Sequence, residues 1–293
     1  MSKHTFNSKL LSTTAALALV GGLSLTAACD PGEPDTVDQP RAASIDPTPQ
    51  LTADIEGELE GEVEAVVNPS VAPEQGSLED RIMALQPQKT RAGWLRFTDP
   101  IIHDEAAAAI LLERLVAGDD PPLVRAALAE AVGRTGGDYA AAVSELIPTE
   151  ADARVREMLV GTLGRQAPGA EAHAGLTAGL QDDDAAVRGA AARTLAARSD
   201  GAVLAEGLLG LLADPEPAVR ADAARSLGVL EVEAAKAPLV ELLADADAEV
   251  RLQGLRALDR IDPAYATSLG ELASLEQDGD ARVQRLATKI RQR

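Results

Sequence analysis

One dipeptide recurs through the second half of this chain at nearly constant spacing, and it restricts the fold more than any other feature. Val-Arg stands at Val124-Arg125, Val155-Arg156, Val187-Arg188, Val219-Arg220 and Val250-Arg251, with a weaker sixth copy at Val283-Gln284. The steps are 31, 32, 32, 31 and 33 residues. Six residues before each Arg stands an acid, Asp119, Glu150, Asp182, Asp214 and Asp245, and Asp278 precedes Gln284 in the same register. Four residues after each Val come Leu128, Leu159, Ala191, Ala223, Gly254 and Ala287, and eight after come Val132, Leu163, Leu195, Leu227 and Leu258. That spacing is one face of a helix. The acid, often followed by Pro or Asp as in Asp214-Pro215-Glu216-Pro217, is expected to cap the helix start and to place favourable charge there.

Between these helices lies a second set with its own apolar spacing, such as Leu204-Leu208-Leu211-Leu212 and Leu239-Leu242-Leu243. Each period is therefore read as two helices of about 12 residues, a unit that cannot bury its apolar face alone. Stacked units predict an all-α, right-handed solenoid of about five to six helical hairpins. The period, the acid-to-Arg spacing and the Val-Arg opening resemble HEAT repeats, specifically the short kind of phycobilisome-lyase-like HEAT proteins. The resemblance spans residues 104–293. It implies that Asp119, Arg125, Glu150, Arg156, Asp182, Arg188, Asp214, Arg220, Asp245 and Arg251 form a hydrogen-bonded ladder through the stack. On that reading the arginines are structural, and the alternative is an anion site lined by them.

A stack needs covered ends, because a terminal repeat would otherwise expose an apolar face. His103 to Ala117 reads as a second helix lacking a well-matched first one. The segment 78–103, with Trp94 and Phe97, is expected to cap that edge, the other role open to it being a basic-aromatic contact site. The last helix carries Arg282, Arg285, Lys289, Arg291 and Arg293 and no acid, which suits a helix C-terminus and a polar outer cover.

The N-terminus has the pattern of an export signal over residues 1–28. Lys3 and Lys9 precede the apolar run Leu10 to Val20, and Leu25-Thr26-Ala27-Ala28-Cys29 ends it in small residues before the only cysteine. This resembles the lipobox of bacterial lipoproteins, with Thr26 where Leu is usual, and implies a lipid attached at Cys29. An ordinary cleaved signal with an incidental Cys is the alternative. Ser12, Thr13, Thr14, Gly21 and Gly22 dilute the apolar run, which argues against a retained span of about 20 residues. Residues 29–77 are rich in Pro and acid with no core-forming periodicity, and are expected to be a disordered tether reaching about 40 Å. Within it, Glu56 to Glu64 alternates with period two, readable as a docking strand or as solvated low complexity.

Composition narrows the function. With 47 acidic and 27 basic residues, formal charge -20, the chain is unsuited to nucleic acid or an anionic bilayer, so contact with membrane is expected through the anchor only. A single Cys and three His leave no metal-ligand spacing, and no cofactor is expected. HEAT-like hydroxylases use His-Glu pairs for iron, whereas His103 precedes Asp104 and His173 precedes Ala174 here. Tyr139 and Tyr265 read as packing residues. No catalytic constellation emerges. The expectation is a monomeric, non-catalytic, lipid-anchored scaffold in the bacterial envelope, facing periplasm or exterior, that binds a protein with a basic surface through Glu206, Glu233, Glu241 and Glu271. A lyase- or isomerase-type enzyme with a site in the concave groove and a passive spacer are the alternatives.

Overall fold

The computed structural model describes residues 77–83, 98, 101–103 and 106–293. The signal-like segment, Cys29, the acidic tether up to residue 76, Trp94 and Phe97 lie outside the described residues. Among the described residues every regular element is helical. A short helix α1 (Leu78–Met83) precedes six hairpins. Their second members, the Val-Arg helices, are α3 (Pro122–Arg134), α5 (Ala153–Leu163), α7 (Ala185–Ala197), α9 (Pro217–Val229), α11 (Ala248–Ile261) and α14 (Ala281–Arg291). Their first members are α2 (Ala107–Ala117), α4 (Ala140–Leu146), α6 (Ala170–Leu180), α8 (Ala205–Gly210), α10 (Lys236–Glu241) and the pair α12 (Pro263–Ser268) and α13 (Leu272–Leu275). The architecture is an α-solenoid of two helical rows.

The core runs unbroken between the rows. Val124, Val155, Val187, Val219, Val250 and Val283 are all within 1% of complete burial, as are Leu128, Leu159, Leu163, Leu195, Leu227 and Leu258. From the other row Leu111, Val143, Leu176, Leu208, Leu239 and Leu272 enter the same layer. Successive Val-Arg helices pack directly on one another along the stack, α3 on α5, α5 on α7, α7 on α9 and α9 on α11. In the other row α4 packs on α6, but α8 and α10 lie chiefly against their Val-Arg partners and α12 chiefly against α11. The more closely packed Val-Arg helices form the inner row and the first-member helices the outer row.

Two expectations need correction. The outer helices are not uniformly about a dozen residues long: α8 and α10 have 6 residues each, lengthened by 3-10 turns at Gly201–Leu204 and Leu211–Ala213, and at Glu233–Ala235 and Leu242–Ala244. A tighter last turn lets the adjacent leucines Leu211-Leu212 and Leu242-Leu243 both reach the core. The repeated acids are also not the N-caps. The cap lies two residues later, at Asp152, Asp184, Asp247 and Asp280, each accepting backbone N–H bonds from the first turn of its helix. The repeated acid instead accepts the cap residue's own N–H, which leaves its carboxylate outside the first turn and free to reach sideways.

The N-terminal edge is closed in part by α1. Ser77 and Asp80 form a capping box: Ser77 N–H and Oγ donate to Asp80 Oδ2, and Asp80 N–H donates back to Ser77 Oγ. Ile82 of this helix is fully buried, and α1 packs on α2. His103, placed at the start of a helix by the sequence, lies instead in an exposed turn before α2. At the far edge α14 buries Val283, Ala287 and Ile290 and leaves its charged residues outside.

Candidate functional site

The repeated arginines and acids do meet, but between hairpins rather than within one. Arg125 reaches Glu150, Arg156 reaches Asp182, Arg188 reaches Asp214, Arg220 reaches Asp245 and Arg251 reaches Asp278, each through Nε and Nη2 to the two carboxylate oxygens at 2.7–2.9 Å. The third guanidinium nitrogen turns back to its own hairpin's loop. Arg188 Nη1 donates to the Asp182 and Asp183 carbonyls at 2.8 and 2.9 Å, and Arg156, Arg220 and Arg251 repeat this arrangement. Each arginine thus ties one interhelical loop to the next, and the planar fork is the geometry a bidentate carboxylate pair requires.

The first acid of the register departs from this scheme. Asp119 is exposed and makes no rung. Its neighbour Asp120 takes the place, accepting from Arg114 Nε and Nη2 at 2.8 Å each, and its carbonyl accepts from Arg125 at 2.6 Å. A rung needs an arginine from the preceding unit. No Val-Arg helix precedes α3 among the described residues, so the last turn of α2 supplies it. Arg114 also donates to the Ile82 carbonyl, which fastens α1 to the ladder. In the sixth hairpin Gln284 replaces Arg, keeps the bond to the Asp278 carbonyl and offers no guanidinium to a further acid.

The rung carboxyls are shifted together. Burial acts to raise those of Glu150, Asp182, Asp214 and Asp245, but the arginine bond, the backbone N–H and the arginine charge outweigh it and hold them below the ordinary carboxylate range. The Arg251 bond leads the lowering at Asp278. A group so engaged has little left for chemistry, and the ladder serves as structure.

At the opposite ends of the hairpins a second network links α5, α6 and α7. Arg198 is buried and donates to the Leu163, Gln166 and Ala167 carbonyls and, through Nε and Nη2, to Asp200 at 2.8 and 2.9 Å. His173 Nε2 sits 2.7 Å from the same carboxylate. Neither Arg198 nor this use of His173 was legible from spacing, because Arg198 occurs in one hairpin only. Tyr139 is packed in the core as expected, with its Oη buried and unpartnered. Among the described residues no group of His, Cys, Asp and Glu is arranged to hold a metal ion.

The exposed charges divide by row. Glu206 lies on α8, Glu241 ends α10, Glu271 precedes α13 and Glu233 opens a 3-10 turn, so all four predicted contact acids are exposed on the outer row. Glu233 is paired with Lys236 at 2.6 Å. The inner row differs. Six residues after each Val, facing away from the core, stand Glu130, Gly161, Arg193, Arg225, Arg256 and Lys289. Arg193 bridges Glu157 on α5 and Asp222 on α9. Burial in this row pushes the Asp222 carboxyl up despite the attraction of Arg193 and Arg225. In the last four hairpins this inner position, six residues after the Val, holds a cation.

These features define a class, an ion-laddered α-solenoid. Comparison with known proteins gives part of the repeat a name: residues 204–289 match the family model for HEAT repeats. Similar solved structures include two engineered proteins determined by the Northeast Structural Genomics Consortium. One is 24% identical, with 74% of this chain and 97% of that chain covered and a TM-score of 0.44. The other is 22% identical, with 74% and 95% covered and a TM-score of 0.42. No curated protein matches the chain.

Proposed function

We propose that this chain is a non-catalytic scaffold that binds a protein partner through its outer row, with a lipid at Cys29 holding it to a bacterial membrane on the periplasmic or exterior side. The observation that carries the reading is the exposure of Glu206, Glu241 and Glu271 on three successive outer segments of the stack. Exposed carboxylates on neighbouring segments favour a partner with a basic face and steer its approach. The acidic tether between anchor and stack would hold this surface away from the bilayer.

The test is crosslinking and capture from detergent-solubilised envelope, comparing the native chain with a Glu206→Lys, Glu241→Lys, Glu271→Lys variant. The expected result is a basic protein retained by the native chain and lost by the variant. Equal capture by both would overturn the assignment of the surface. For the anchor, Cys29→Ser is expected to abolish incorporation of radiolabelled fatty acid, and undiminished labelling would remove the lipid.

A further inference from the structure

We infer that the C-terminal half of the inner row is a second binding surface, of opposite sign to the outer row, that takes an acidic extended polypeptide segment. Five cations gather there: Arg225 on α9, Arg256 and Arg260 on α11, and Arg285 and Lys289 on α14, all exposed. Arg225, Arg256 and Lys289 occupy the same register position in three consecutive hairpins. Arg260 and Arg285 stand four residues from Arg256 and Lys289 respectively, and so share their helix faces. None of the five makes an ion pair among the described residues.

The acids of the same three helices do not neutralise them. Asp222 is hydrogen-bonded by Arg193 and attracts Arg225 without pairing to it, Glu249 accepts from Arg282 at 2.7 Å and Asp259 accepts from Arg293 at 2.5 Å. The result is a run of cations without ion-pair partners among the described residues, on a chain whose formal charge is -20. Like charges held together cost stability, and the cost is relieved when an anion enters.

The geometry selects the kind of anion. The cations step from hairpin to hairpin along the row, a line that a single extended chain can follow. Helices packed side by side lie about 8–10 Å apart, so the column presents one cation at that interval. An extended chain advances about 6.6–6.8 Å between side chains on the same face, which brings successive carboxylates within reach of long, flexible arginine and lysine side chains. Surplus acid elsewhere on the molecule repels a polyanion such as nucleic acid at long range, whereas a short acidic segment is repelled little. The inference stands apart from the outer-row reading, because it uses the other face and the other sign.

The experiment is fluorescence anisotropy with the full chain and a dye-labelled 12-residue peptide of alternating glutamate and alanine. An alternating lysine peptide, a single-stranded oligonucleotide and anionic vesicles serve as competitors. Saturable binding of the glutamate peptide is expected, weakening as salt rises and falling by about tenfold or more in an Arg225→Glu, Arg256→Glu, Lys289→Glu variant. The outer-row lysine variant is expected to bind the peptide as the native chain does. Because the three inner residues are exposed, circular dichroism of the variant should match that of the native chain. Unchanged affinity in the folded inner variant would overturn the inference, as would no binding at low salt or stronger displacement by oligonucleotide or vesicles than by unlabelled peptide. Should the variant fail to fold, Arg225→Gln, Arg256→Gln and Lys289→Gln singly are each expected to weaken binding, and no loss in any of them would overturn it equally.

Discussion

At the scale of single residues, the arginine of each rung does two jobs that a lysine could not combine. Arg220 holds Asp245 with two nitrogens and the carbonyls of Asp214 and Pro215 with the third, so one planar group closes its own loop and grips the next. Arg220→Ala would leave the Asp245 carboxylate with the Asp247 N–H as its remaining bond. The pair is largely but not wholly removed from water, with the side chains 16% and 11% exposed. A loss of about 2 kcal/mol is expected, between the cost of an unmade buried bond and that of an orphaned buried charge. Arg220→Lys should recover only part of it, because an ammonium cannot form the bidentate contact and the carbonyl bonds together. Urea unfolding followed by circular dichroism would measure both, and a Lys variant as stable as the native chain would show that charge, not the fork, holds the rung.

At the scale of elements, the inner helices approach closely because small residues meet at the seam. Gly228 on α9 lies against Ala257 on α11 so tightly that a Cβ built on it would sit 2.7 Å from the Ala257 Cα. Gly161 on α5, in the outward column, has open space around the same position. The two glycines therefore predict opposite signs. Gly161→Ala should stabilise by about 0.5–1 kcal/mol, the helix propensity gain alone, while Gly228→Ala should destabilise by about 1–2 kcal/mol, since overpacking against backbone exceeds that gain. Thermal unfolding of the pair would decide, and stabilisation of both would mean that the inner helices separate easily. The periodic Val and Leu positions made the core face legible in the sequence, since burial of one helical stripe is what that period encodes. The seam was not legible, because Ala, Gly, Ser and Thr carry little hydropathy signal and their role depends on which helix lies beside them. The rungs were legible as a pairing of residue types, yet not in partner: spacing within a repeat marks Asp182 with Arg188, while the fold places Arg188 on Asp214. The cation column was likewise not read from the sequence, because only the stack shows that its side chains face away from the core.

For the whole molecule, ladder and net charge pull stability in opposite directions as pH falls. Glu150, Asp182, Asp214, Asp245 and Asp278 all have carboxyls held below their ordinary values in the fold. A depressed carboxyl stabilises the fold fully above its unfolded value, about 4, and that contribution is lost as pH falls through the folded value. Asp222 is shifted upward, so its contribution has the reverse sense: it is present below about 4 and lost as pH rises through its folded value. Protonation of exposed acids also relieves the repulsion of a chain with a formal charge of -20 at neutrality. Between neutrality and about pH 5 the rungs remain ionised while repulsion eases, so the unfolding temperature should hold level or rise slightly. Below about pH 4 five rungs weaken together against one favourable group, and stability should fall steeply. In a solenoid each unit is held only by its neighbours, so the weakened rungs open the stack between hairpins instead of loosening one site. Asp245→Asn tests the assignment, because it removes one titrating rung and should shallow the acid limb while lowering stability at neutral pH. An acid limb of unchanged steepness would place the titrating groups elsewhere.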